Sequence, residues 1–385
     1  MLNFTFHNPT KIVFGKETIA QLNDLIAKDA RVLILLGGSS AKKNGTIDEV
    51  KAALGDRYVQ EFSGVEANPT YETLMQAVEQ IRTEKLDFIL AVGGGSVIDG
   101  AKFIAAAVPY VNDPWEILLN YGANITEALP LASVLTLPAT GSEMNNGSVI
   151  TRKETKTKLP FASPLVFPQF SILDPTKTFT LPPKQVANGV VDAFVHIVEQ
   201  YLTYPVNAMV QDRFAESLLQ TLIEVGPKLL EDPTDYDNRA NHMWVATLAL
   251  NGLIGAGVPQ DWATHMIGHE LTAQYNIDHA QTLAIILPSL LNVQRKDKHA
   301  KLAQYAERVW NITEGDDDTR ITQAIAKTAA FFESLDIGTR LANYNLHAAD
   351  IDTVITQLEA HGMTTLGEHQ NVTLDVSRKI LEGAL

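Results

Sequence analysis

Five residues in two short stretches have the types and spacing of a metal site. Asp192 and His196 stand four apart in 188–199, a stretch with helical spacing, so both side chains leave one face. His265 and His269 repeat that spacing in 262–270, and His279 follows a short polar turn, 276–278. A lone Asp/His pair four apart is more often a surface ion pair than a ligand set. Five candidates in two clusters, in a chain with 10 histidines, carry more weight. Several sit in apolar surroundings, where an unpaired imidazole or carboxylate is costly. The chain has no cysteine, so any metal is held by His, Asp or Glu. Disulfides, iron–sulfur clusters and thiol nucleophiles are excluded. A sulfur-free set suits Zn2+ or Fe2+ and leaves a position for a substrate oxygen. His7, His242, His299, His347, His361 and His369 show no such pairing and read as ordinary surface or core residues.

A second kind of chemistry is written in glycines. Arg31–Leu36 runs into Gly37-Gly38, Phe88–Val92 into Gly93-Gly94-Gly95-Ser96, and Leu131–Pro138 into Ala139-Thr140-Gly141-Ser142. Turns of small residues at the carboxyl ends of parallel strands offer bare backbone N–H groups to a phosphate. The 93–96 turn is the best single pyrophosphate cradle, although it is not the usual G-x-G-x-x-G fingerprint. Asp99 falls in the first turn of the helix that follows, either complementing the helix terminus or touching the cofactor. The segment Gly37-Gly38-Ser39-Ser40-Ala41-Lys42-Lys43 carries hydroxyls and two lysines and no acid, which favours NADPH over NADH.

These groups need two kinds of scaffold. The 385 residues suggest two domains, and 45% apolar content is enough for large cores. Continuous apolar strands alternating with helical stretches such as 73–85 predict a parallel sheet covered on both faces. Residues 148–153 and 158–163 read as a polar-tipped hairpin, and Phe170–Leu173 as one more strand. After Leu181-Pro182-Pro183 the spacing turns helical, over 186–202, 209–231, 238–253, 262–275, 301–310 and 319–335. The expected architecture is an α/β Rossmann-like dinucleotide-binding domain, 1–180, followed by an all-α metal- and substrate-binding domain, 181–385. A net charge of −15 argues against nucleic acid and membrane surfaces as partners. The first residues lack the pattern of a signal peptide and no window reads as a membrane span, so the cytoplasm is expected.

Taken in order, Gly93–Asp99, Thr136–Glu143, Asp192–His196, His265–His269 and Asp278-His279 resemble the signatures of the iron-containing alcohol dehydrogenase family, in its branch of butanol dehydrogenases and NADPH-dependent aldehyde reductases. The resemblance spans essentially the whole chain and implies a dehydroquinate synthase-like fold. It implies Asp192, His196, His265 and His279 as ligands of one divalent ion, with iron and zinc both in play. His269 matches a histidine beside the substrate, a proton-relay candidate. Gly37, Gly38, Ser39 and Ser40 would meet the adenosine ribose. Gly94, Gly95 and Ser96 would meet the phosphates, Asp99 would contact the cofactor, and Thr136, Ser142, Asn145 and Lys158 would line the rest of it. Asn68, Thr140, Gly147 and Val149 complete that set. Ser39 stands where this branch often has a third glycine, leaving NADH as a second possible cofactor.

The implied reaction moves a hydride between NADP(H) and a small aldehyde or primary alcohol such as butanal or butanol, with the ion as Lewis acid. A polyol dehydrogenase or a sugar-phosphate cyclase on the same scaffold is the alternative enzyme. The cyclases need several basic residues around the metal, whereas Phe194, Leu253, Ile254, Trp262 and Met266 promise apolar surroundings. A non-catalytic nucleotide-binding protein is the reading from another class. A homodimer is the implied assembly.

Overall fold

The computed structural model describes all residues, Met1 to Leu385. They form two compact units. One comprises His7–Leu181 and Pro233–Thr247; the other comprises Met1–Phe6, Pro182–Asp232 and Leu248–Leu385. The division differs from a single cut after 180 by Leu181 and the two segments 1–6 and 233–247.

The first unit is built on β1 (Lys11–Phe14), β2 (Arg31–Leu36), β3 (Tyr58–Ser63), β4 (Phe88–Gly94), β5 (Leu131–Leu137), β6 (Gly147–Arg152), β7 (Thr157–Ala162) and β8 (Phe170–Leu173). Six of these form a sheet in the order β1-β8-β5-β4-β2-β3, parallel at every pairing. Strands β6 and β7 pair separately as an antiparallel hairpin. The helices of this unit are α1 (Leu22–Leu25), α2 (Ser40–Lys43), α3 (Thr46–Leu54), α4 (Tyr71–Glu84), α5 (Gly95–Ala107) and α6 (Trp115–Leu119).

Alternate residues of a strand face opposite sides, and β2 uses both. Leu33 and Leu35 pack with Leu74 and Val78 of α4 and with Ile98 and Phe103 of α5. Val32, Ile34 and Leu36 pack with Leu22 of α1 and with Ile47, Val50 and Leu54 of α3. A strand covered on both faces must be apolar throughout, which is why β2 is an unbroken aliphatic run after Arg31. From β2 the chain crosses to β3, and from β4 it crosses through α5 to β5 in the opposite direction. The carboxyl ends of β2 and β4 therefore border the crevice in which open parallel sheets take their ligands.

The second unit is helical: α7 (Pro183–Tyr201), α8 (Met209–Glu231), the end of α9 (Tyr236–Ala249), α10 (Ala263–Tyr275), α11 (His279–Val293), α12 (His299–Arg308), α13 (Asp317–Ser334), α14 (Ala348–Ala360) and α15 (Leu374–Gly383). A two-stranded ribbon, β9 (Thr365–Leu366) with β10 (Val372–Thr373), completes it. Pro183 occupies the first turn of α7, where its missing N–H costs nothing. From Gly189 to Tyr201 every residue of α7 is buried, so its polar side chains must answer to one another or to a ligand. No helix is long and apolar enough to cross a membrane.

Candidate metal centre and cofactor cradle

Helix α7 carries Asp192 and His196 on one face, and α10 carries His265 and His269. His279 is the first residue of α11, reached through the short turn after Asn276, whose left-handed backbone ends α10. The Asp278 carboxylate pins that turn to α7, accepting from Asn188 Nδ2 at 3.0 Å and pairing with Lys184 Nζ at 2.9 Å.

Three imidazoles converge on one oxygen. Asp192 Oδ1 lies 3.7 Å from His196 Nε2, 4.0 Å from His265 Nε2 and 3.8 Å from His279 Nε2. It is buried and makes no hydrogen bond. The potential ligand atoms of Asp192, His265 and His279 all lie within 4.8 Å of one another. Ligands bound at 2.0–2.2 Å in a tetrahedron stand about 3.3–3.6 Å apart, so these atoms would close by at most about 1.5 Å around Zn2+ or Fe2+. A buried carboxylate oxygen without a hydrogen bond, facing imidazole nitrogens beyond hydrogen-bond range, is what a cation site requires. His269 stands beside this group, its ring centroid 5.1 Å from that of His279 and 6.2 Å from that of His265.

One of the expected apolar neighbours lies elsewhere. Phe194 packs against Phe331 and Phe332, on the side of α7 opposite Asp192 and His196, because two residues along a helix turn a side chain through about 200°. Trp262 does adjoin the site, with ring centroids 5.3 Å from His265 and 6.2 Å from His196. Its φ of 64° is an uncommon value for a bulky residue.

Glu199 escaped the sequence reading, although it continues the Asp192–His196 face by one more turn. Its carboxylate accepts the Thr264 amide at 2.6 Å and bonds His265 Nδ1. Burial pushes this carboxyl up and Asp261 adds to the effect, while the Thr264 amide opposes both. Asp261 in turn pairs at 2.9 Å with buried Lys298, which also pairs with Glu368 at 2.8 Å.

In the α/β unit the glycine turns occupy the switch point. A Cβ on Gly37 would touch Val97, so the turns after β2 and β4 adjoin. No loop separates β4 from α5, and packing demands glycine at positions 93 and 95 and leaves little room at 94. Added Cβ atoms would stand 2.6 Å from Val97 Cγ2 at Gly93, 3.0 Å from Leu137 Cβ at Gly94 and 2.2 Å from Thr140 Oγ1 at Gly95. Ser96 Oγ bonds the Ala67 carbonyl, and next along the chain Asn68 Oδ1 accepts from Lys158 Nζ at 3.2 Å. Thr136 is buried near the end of β5. Gly38, Ser39 and Ser40 are exposed.

Asp99 is the fifth residue of α5, one beyond the first turn, so proximity to the helix terminus does not account for it. Its Oδ1 accepts from Ser142 Oγ at 2.5 Å and its Oδ2 from the Val149 amide at 2.9 Å. Lys102, a second residue missing from the sequence reading, organises the same loop. Its buried Nζ donates at 2.8 Å to each of Ser142 Oγ, Asn145 Oδ1 and the Gly147 carbonyl. Asp99, Ser142, Asn145, Gly147 and Val149 thus form one bonded cluster. Lys42 is not a free cation for a 2′-phosphate: it pairs at 2.7 Å with Glu61 of β3, which also holds Lys51. That acid lies on a neighbouring strand, out of sight of the linear segment.

With this geometry in hand, comparison with known proteins decides the family. Residues 9–175 match the iron-containing alcohol dehydrogenases, and residues 186–385 match the C-terminal part of the Fe-containing alcohol dehydrogenase family. The chain belongs to the iron-containing alcohol dehydrogenase family. This alcohol dehydrogenase is 61% identical to the NADPH-dependent aldehyde reductase YqhD of Escherichia coli K12, over 100% of both chains. It is 41% identical to NADH-dependent butanol dehydrogenase B of Clostridium acetobutylicum, covering 91% of this chain and 92% of that one. The crystal structure of E. coli K-12 YqhD matches with a TM-score of 0.99 at 61% identity, over 100% of this chain and 99% of that chain.

Proposed function

We propose that this dehydrogenase reduces small aldehydes such as butanal with NADPH, using Asp192, His196, His265 and His279 to hold one Zn2+ or Fe2+. The observation that carries the reading is the convergence of three imidazole Nε2 atoms on buried Asp192 Oδ1. Lewis-acid polarisation of the carbonyl oxygen is the chemistry such an ion supplies when bound. The chain's own contribution is to place the groups. The crevice at the ends of β2 and β4 receives the dinucleotide, with Gly94, Gly95 and Ser96 at the phosphates and Lys158 and Asn68 further along it. Gly37, Gly38, Ser39 and Ser40 take the adenosine side, and Thr136, Thr140, Ser142, Asn145, Gly147 and Val149 line the remainder. Asp99 serves by holding Ser142 and the Val149 amide in place. His269 supplies the proton that the product oxygen gains. The 61% identity to an NADPH-dependent aldehyde reductase supports the choice of cofactor and direction.

The cytoplasm and a homodimer are part of the proposal, checked by cell fractionation and sedimentation. Support for the dimer is an apolar N-terminal segment, Met1, Leu2, Phe4 and Phe6, left exposed.

The deciding experiment is elemental analysis of protein purified without chelators, followed by NADPH and NADH oxidation with butanal. The reading expects about one Zn or Fe per chain, faster turnover with NADPH, and activity lost on chelation. His265→Ala and His279→Ala should lose the bound metal. His269→Ala should keep it and change turnover and its pH profile. A metal-free protein that stays inactive after Zn2+ and Fe2+ are added back would sink the proposal.

A further inference from the structure

Glu199 stands seven residues after Asp192 and three after His196, so α7 presents all three toward α10. Both of its carboxylate oxygens are committed. One accepts the backbone amide of Thr264 at 2.6 Å, and the other bonds Nδ1 of the next residue, His265. The Glu199 carbonyl accepts the Asp261 amide at 2.9 Å, and Asp261 Oδ1 accepts the Ala263 amide at 3.1 Å. The entry to α10 is thereby fastened to α7 through one acidic residue, with His265 at the end of the chain of bonds. When Glu199 is ionised it has no proton to give, so the shared proton belongs to Nδ1, and the neutral ring then keeps its lone pair on Nε2. Nε2 is the atom that faces Asp192 Oδ1.

We propose that Glu199 is a positioning residue of the metal centre, its carboxylate fixing the tautomer and orientation of His265 and raising the basicity of Nε2 toward the ion. The inference rests on the ligand set proposed above. Carboxylates placed behind a ligating histidine commonly change metal affinity 10- to 100-fold. The side chain is 1% exposed, so water cannot take its place in the bond to Nδ1.

Glu199→Gln keeps the shape and removes the charge, and its amide N–H2 can donate to Nδ1 and favour the wrong tautomer. The experiment strips the protein of metal and titrates Zn2+ against a chromophoric chelator, for wild type, Glu199→Gln and His265→Ala. The expected result for Glu199→Gln is a Zn2+ dissociation constant about 10- to 100-fold higher. The metal-free variant should melt within about 2 °C of metal-free wild type. Co2+ bound to the variant should show displaced visible bands. Equal Zn2+ affinity and equal Co2+ spectra in wild type and Glu199→Gln would overturn the inference. If His265→Ala also bound Zn2+ as wild type does, the ligand set itself would fall, which separates the two failures. Should Glu199→Gln not fold, the wild-type protein decides through its imidazole 15N shifts in the metal-free state. His265 protonated at Nδ1 supports the role, and His265 protonated at Nε2 overturns it.

Discussion

Lys102 shows what one buried charge does to a cofactor loop. A fully buried ammonium is costly unless it is surrounded by acceptors, and three neutral oxygens with Asp99 nearby supply that surrounding. Desolvation still wins, and the Lys102 ammonium is pulled down to about 8 from its ordinary 10.5. The folded protein therefore releases this proton before the unfolded chain does. Between about pH 8 and 10.5 the unfolded state binds more protons, so the contribution of this residue to stability rises with pH. Below about 8 both states are protonated and the cost of burial is complete. We expect the stability of wild type relative to Lys102→Met to rise by about 3 kcal/mol over that window, read by urea unfolding at a series of pH values. A difference independent of pH would show that Lys102 is not desolvated in solution. The same variant frees the loop that carries Ser142, Asn145 and Gly147, so its KM for NADPH should rise.

The junction of β4 and α5 belongs to the scale of elements. Gly95 opens the helix with its α-carbon against the Thr140 side chain, which has no room for a methyl group. Gly95→Ala should cost about 1–3 kcal/mol through overpacking and should weaken NADPH binding, because Thr140 must shift. Adding Thr140→Gly should restore most of the stability; a double-mutant cycle in urea tests it, and additive losses would refute the contact. At this scale much of the fold was legible in the sequence. Arg31–Leu36 and Phe170–Leu173 are strands to the residue, and 209–231 is a helix to the residue. Fully buried strands must be apolar throughout, and that leaves a plain signal. Strands β1 and β3 were not read, since they are sheet edges, and β3 mixes Gln60 and Glu61 with Val59 and Phe62. Helix α11 was missed for the opposite reason: it is apolar on nearly all sides, so no amphipathic stripe marks it. The clustered histidines were visible because four-residue spacing survives in the linear text. Glu199 was not found, although extending that spacing to seven reaches it. Lys102 and Glu61 act through contacts that only folding creates.

For the whole molecule, the important feature is where the two kinds of residue lie. Asp192, His196, Glu199, His265, His269 and His279 all belong to the helical unit, and every residue assigned to the cofactor belongs to the α/β unit. A ligand that binds only the folded state stabilises by RT ln(1 + [L]/Kd), about 2.7 kcal/mol at 100 times Kd. The stabilisation should appear where local opening destroys the site. Removing the metal should therefore raise amide hydrogen exchange in α7, α10 and α11, whose side chains converge on Asp192, and leave β2, β4 and α5 unchanged. NADPH should slow exchange at 93–99, 136–149 and around Lys158. Mass-spectrometric exchange on metal-loaded, metal-free and NADPH-bound protein reads both responses at once. Protection lost in β4 and α5 on metal removal would show that the units open as one body. Protection lost only in α10 and α11, with α7 unmoved, would count against Asp192 and His196 as ligands, because both sit on α7.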